Sequence, residues 1–137
     1  NTNLVPILRH LTKLVPSNLV LTIELPKKMM TPLPSAHLQI MMRNLMDNAI
    51  KHNKRNGRIK VSGKVASGKW NIEISNTIKY QADKNKVTER KYTAGPGAGH
   101  GIGMSIVSDM CRMHDLTLEY LNQDGMAIVT ITGMIAN

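Results

Sequence analysis

The stretch from Leu38 to His52 constrains this chain most, because two carboxamides and an ammonium share one stripe of a helix whose opposite arc is apolar. At about 100° per residue, Asn48 lies roughly 40° from Asn44, and Lys51 lies roughly 20° on its other side. Leu38, Met42, Leu45 and Met46 or Ala49 fill the far arc, so one face packs and the other is left to bind. A carboxamide oxygen is a hard, neutral ligand suited to Mg²⁺, which usually arrives already bound to substrate phosphates, and a neighbouring lysine answers the remaining phosphate charge. The stripe reads as a Mg-nucleotide site. The plainer alternative is a solvated helix face that binds nothing.

A second feature lies downstream. Gly95, Gly97, Gly99, Gly101 and Gly103 put five glycines into nine residues, and Ile102, Ile106, Met110 and Met113 then start a helix at once. Unpaired N–H groups at such a helix start, with the positive end of its dipole, form a trap for phosphate. A flexible linker before an ordinary amphipathic helix is the alternative.

Taken together, the two segments resemble a known pair. Asn44-Leu45-Met46-Asp47-Asn48-Ala49-Ile50-Lys51-His52 resembles the N box of bacterial sensor histidine kinases. Gly99-His100-Gly101-Ile102-Gly103-Met104-Ser105-Ile106-Val107 resembles their second glycine box, in the same order and at a similar separation. The resemblance implies the catalytic and ATP-binding domain of a two-component sensor kinase. Its fold would be the Bergerat ATP-binding fold shared with DNA gyrase, MutL and the ninety-kilodalton heat-shock chaperones. That is an α/β (α+β) two-layer sandwich, a mixed, mostly antiparallel sheet covered on one face by helices.

The resemblance also implies roles. Asn48 is then the principal Mg²⁺ ligand and Asn44 a second contact to metal or phosphate, while Lys51 and His52 face the phosphates or ribose. Gly99, His100, Gly101, Ile102, Gly103 and Met104 line the phosphates. ATP-hydrolysing relatives carry a glutamate general base where this chain has Asn44, and a neutral amide cannot take a proton from an attacking water. Transfer to a histidine needs positioning and charge neutralisation more than a base. The implied partners are ATP, a dimerisation domain bearing the phosphoacceptor and a cognate response regulator. The implied setting is the cytoplasmic side of a membrane-anchored homodimer.

One departure stands out. Most members carry an Asp-x-Gly-x-Gly box whose aspartate accepts a hydrogen bond from the adenine amino group, but here that place reads Ile74-Ser75-Asn76-Thr77-Ile78-Lys79-Tyr80. Asn76 shares strand parity with Trp70, Ile72 and Ile74, and its amide oxygen can still accept that proton. The missing box keeps open a degenerate regulatory domain that retains the fold without the chemistry.

The 137 residues show no break in pattern and suffice for one domain that buries roughly 70% of its unfolded surface. A single cysteine, Cys111, fits a reducing compartment and a small buried side chain. No apolar run approaches the ~20 residues a membrane helix needs. The formal net charge of +9 calls for an anionic partner, nucleotide or nucleic acid. One Trp, three Tyr and no Phe weaken the nucleic-acid reading, since single-strand binders stack bases on aromatic rings. The ten methionines read as core filler in place of phenylalanine.

Along the chain, Leu4, Leu8, Leu11 and Val15 predict a helix with Pro6 in its first turn, either the end of a preceding dimerisation helix or a short docking helix. Leu19 to Leu25 alternates as a strand, Pro26 to Pro34 is a loop, and Ser35 offers an N-cap. Arg58 to Val65 and Lys69 to Asn76 predict a hairpin, and Leu116 to Leu121 with Met126 to Met134 a second one about Asn122-Gln123-Asp124-Gly125. Residues 79–99 lack periodicity; the resemblance makes them an ATP lid, with Arg90 or Lys91 reaching the γ-phosphate. The family's acceptor histidine is followed by an acidic residue on a dimerisation helix. His10 precedes Leu11 and Thr12, and His114, although followed by Asp115, falls where relatives have His-Gly-Gly, so the acceptor is expected elsewhere.

Overall fold

A computed structural model describes residues 1–78 and 102–136, with Ile102 and Gly103 described as backbone. The expected lid with Arg90 and Lys91, and Gly99, His100 and Gly101 of the glycine turn, lie outside the described residues. In chain order the elements are β1 (Thr2–Asn3), α1 (Leu4–Thr12), β2 (Val20–Glu24), β3 (Met30–Thr31), α2 (Ser35–Lys51), β4 (Arg58–Ala66), β5 (Lys69–Thr77), α3 (Ile102–Met113), β6 (Thr117–Gln123) and β7 (Met126–Met134).

Alternation along the strands builds one sheet with an apolar face. Its order is β2-β4-β5-β7-β6, with β2 parallel to β4 and every other pair antiparallel. Trp70, Ile72, Ile74 and Asn76 of β5 are buried beside Ile59 and Val61 of β4 and Ala127 and Ile131 of β7. Leu38, Met41, Met42, Leu45 and Met46 from α2, and Val107 and Cys111 from α3, join that face in a single core cluster. This mixed α/β arrangement is the expected two-layer Bergerat architecture. Five methionines, at positions 29, 41, 42, 46 and 104, are buried as filler. Gly133 leaves room for the indole of Trp70, since a Cβ there would stand 2.5 Å from Trp70 Cζ2.

Both hairpins close through two residues in the left-handed region, Ser67-Gly68 (φ 54° and 74°) and Asp124-Gly125 (φ 55° and 74°), as strand twist favours. The second turn is tighter than the four residues expected, because Asn122 and Gln123 still pair with Ala127 and Met126.

Two expectations are corrected. Residues 26–34 are not without an element: β3 pairs with β1, at Thr2↔Thr31 and Asn3↔Met30. Asn3 explains why. Its side chain caps α1 by accepting from Val5 N at 3.1 Å and also accepts from Met29 N at 3.0 Å, tying together segments 26 residues apart. Ser35 is not the cap of α2 but its first residue, and its hydroxyl accepts from Gln39 Nε2 at 3.0 Å. Pro34, held at φ −63° and ψ 139°, sets the helix start without a side-chain acceptor. α1 docks on the domain, burying Leu4, Val5, Leu8 and Leu11 in the shared core.

Candidate functional site

Two side-chain contacts fix how α2 and α3 run. His37 Nδ1 lies 2.8 Å from His114 Nε2, and Cys111 Sγ donates to Met41 Sδ at 3.9 Å, so the start of α2 meets the end of α3. The helices are therefore antiparallel. Seven residues forward from Met41 is Asn48, and seven back from Cys111 is Met104; at about 1.5 Å per residue both steps cover the same length. Asn48 thus stands level with the first turn of α3, whose N–H groups have no partner within the helix itself.

A buried polar knot brings β5 to the same end. Thr77 Oγ1 donates to Asn53 Oδ1 at 2.5 Å and accepts from Arg58 N at 3.0 Å, while Asn53 Nδ2 donates to Arg58 O at 2.9 Å. Asn53 follows α2 by two residues, so the end of the helix is pinned to the end of β5 beside Asn76. Gly57 is required there: a Cβ would lie 2.0 Å from Thr77 Oγ1 and 2.1 Å from Asn53 Oδ1. Sequence reasoning missed Asn53, Gly57 and Thr77. The nearest sequence signal is the Asn56-Gly57 pair, which marks a turn but does not name the residues it packs against.

The polar groups gathered at this end are unevenly satisfied. Asn48 Nδ2 is buried and makes no hydrogen bond, and Ser105 Oγ, one residue beyond Met104, is also buried without a partner. Leaving such a group unmet costs about 1–3 kcal/mol. Rotating the Asn48 amide by half a turn places its oxygen where the nitrogen stands, so the position can offer a hard ligand. Asn44 Nδ2 donates to Ile40 O at 2.8 Å, which leaves its oxygen for another partner. Asn76 Nδ2 donates to Thr77 O at 2.8 Å, so this amide too is oriented with its oxygen as the remaining polar end. Met104 is buried in the core, and only its backbone can serve a ligand at the helix start. These three carboxamides are chemically suited to Mg²⁺ and a nucleotide.

Charge at the site comes from Lys51, which is exposed in the last turn of α2. His52, the C-cap, is half-buried; burial first, and the Lys51 ammonium second, hold its pKa below the ordinary 6.5. It is a neutral imidazole at pH 7. Because the unfolded chain takes up this proton at a higher pH than the folded one, stability is unaffected above about 6.5 and falls as the pH drops below it, until the folded-state pKa is reached. Urea unfolding between pH 8 and pH 5 is expected to show this acid loss in the native chain and a shallower one in His52→Gln; identical slopes would exclude His52 as the cause. Cys111, whose thiol burial pushes up to about 11, is inert.

Comparison with known proteins identifies the family and the fold. Residues 34–133 match the family described as histidine kinase-, DNA gyrase B-, and HSP90-like ATPase. Among solved structures, the mycobacterial sensor histidine kinase MprB superposes with a TM-score of 0.84 at 18% identity, over 96% of this chain and 95% of that one. The catalytic domain of the histidine kinase ThkA gives 0.80 at 18% identity, over 97% and 93%. Full-length ShkA in complex with AMPPNP gives 0.75 at 16% identity, over 98% of this chain and 31% of that one. No curated protein matches the chain. The match spans most of the chain, including α2, α3 and the four strands β4 to β7, so the chain belongs to the histidine kinase-, DNA gyrase B- and HSP90-like ATPase family, with the fold of sensor histidine kinase catalytic domains.

Proposed function

We propose that this domain holds Mg-ATP between the C-terminal half of α2 and the start of α3, and delivers its γ-phosphoryl to a histidine of a dimerisation domain outside this chain. The observation that carries the reading is the buried, unpartnered amide nitrogen of Asn48, level with the first turn of α3. Bound there, Mg-ATP would supply the transferable phosphoryl group and ADP as the leaving group. Asn48, with Asn44, would hold the metal, and Lys51 would meet phosphate charge. The helix start at Ile102, Gly103 and Met104 would present backbone N–H groups to the phosphates. Asn76, its amide nitrogen engaged by Thr77, would accept from the adenine amino group. Asn44, which cannot act as a base, favours an imidazole nucleophile over water. ShkA, seen with AMPPNP, is a structural neighbour that supports an adenine nucleotide as ligand.

The same reading assigns the domain to two-component signalling, with a response regulator downstream and a membrane-anchored homodimer as the whole protein, its kinase portion in the cytoplasm. Among the described residues no helix is long and apolar enough to cross a membrane. The rival from another class, a basic nucleic-acid-binding module, gives no reason for the unmet amide.

Calorimetric titration decides between them. Mg-ADP is expected to bind with micromolar affinity, at least tenfold more weakly in EDTA, and γ-labelled ATP is expected to leave no phosphate on the isolated chain. Binding that ignores the metal, or stable self-labelling, would overturn the assignment. If Mg-ADP binds but the full cytoplasmic portion transfers nothing, the domain is a degenerate regulatory one.

A further inference from the structure

We propose that His37 and His114 form a second metal site, for Cu²⁺ and more weakly Ni²⁺, which bridges the start of α2 to the end of α3. The two rings come from residues 77 apart in sequence, both half-buried, with Nδ1 of one 2.8 Å from Nε2 of the other. Their centroids are 5.0 Å apart and the planes are tilted by 52°. His114 is held in place by the helix end. Leu116 N donates to Cys111 O at 2.8 Å and Asp115 adopts φ 55°, a left-handed close usually given to glycine.

At present a shared proton joins the rings, one nitrogen donating and the other accepting. Two imidazole nitrogens at about 2.0–2.1 Å from a metal stand about 2.9 Å apart across a right angle and about 3.3 Å apart across a tetrahedral one. The observed 2.8 Å, with centroids 5.0 Å apart, is the head-on spacing of that hydrogen bond, so the rings turn a little to aim both nitrogens at one ion. Imidazole nitrogens suit Cu²⁺ and Ni²⁺, and copper binds more tightly in the usual affinity order. Among the described residues no group of three or more His, Cys, Asp or Glu could hold a metal, so water completes the coordination. Asn48 lies eleven residues further along α2, about 16 Å away, so the site is separate from the nucleotide end. Mg²⁺ prefers oxygen ligands and does not compete. Because the rings meet only when α2 and α3 are packed, the ion stabilises the folded domain.

The test is titration of the tag-free chain with Cu²⁺ alone, and separately Ni²⁺ alone, followed by calorimetry and thermal melting. One equivalent is expected to bind in the micromolar range and to raise Tm by several degrees. His37→Asn and His114→Gln keep a hydrogen-bonding group near the lost nitrogen, which protects the fold. Each should weaken binding at least tenfold and abolish the Tm rise, while His10→Ala, on an exposed residue of α1, should change neither. An unchanged affinity or Tm rise in both His37→Asn and His114→Gln would overturn the site, as would the absence of binding to the native chain. Neither result bears on Mg-ADP binding.

Discussion

Asn48→Ala is expected to weaken Mg-ADP binding at least 100-fold, a loss of about 2.7 kcal/mol, while the residual binding in EDTA stays within a factor of three of the native chain's. Alanine keeps the helix and removes the only carboxamide whose nitrogen is both buried and unpartnered among the described residues. The nucleotide-free domain should therefore melt at the same temperature as the native chain or slightly above it, since an unmet buried donor costs about 1–3 kcal/mol and the substitution deletes it. This pairing of lost binding with retained stability separates a ligand-holding residue from a structural one. Calorimetry with Mg-ADP and a thermal melt of the same preparation check both halves. A dissociation constant within threefold of native in the presence of Mg²⁺ would remove Asn48 from the site.

Gly57→Ala should act in the opposite way, on the fold. The added methyl would stand 2.0 Å from Thr77 Oγ1, 2.1 Å from Asn53 Oδ1 and 3.0 Å from the Lys54 carbonyl, so it must break the knot that ties α2 to β5. Overpacking costs about 1–3 kcal/mol, and a broken buried hydrogen bond adds a similar amount. The net expectation is about 3 kcal/mol, which for a chain of this size lowers Tm by roughly 10 °C. Thr77→Ser, which keeps the hydroxyl, should lose much less. A Tm for Gly57→Ala within 3 °C of native would show that the turn adjusts and that the knot does not hold the two elements together.

The contrast between these residues shows how far the sequence could be read. Asn48 was legible because it lies within one helix, where a fixed rotation per residue turns spacing directly into a face; Asn44 and Lys51 came with it for the same reason. Asn76 was legible through strand parity with Trp70, Ile72 and Ile74, and it is buried with them. Asn53, Gly57 and Thr77 were not, because their importance lies in a contact across 24 residues that no local period records. The same holds for Asn3, whose two bonds cap α1 and tether Met29, and for His37 with His114.

Local periodicity and turn chemistry therefore determined, from the residues alone, three helices, two hairpins, their apolar faces and the resemblance that predicted the sheet. The tertiary structure decided the rest: the parallel pairing of β2 with β4, the β1–β3 bridge over the expected loop, and the antiparallel register of α2 on α3 that sets Asn48 level with the start of α3. The reason is physical. A repeat of 3.6 or 2 residues states which side of an element is buried, but the partner it meets is chosen by the packing and hydrogen bonding of groups distant in sequence.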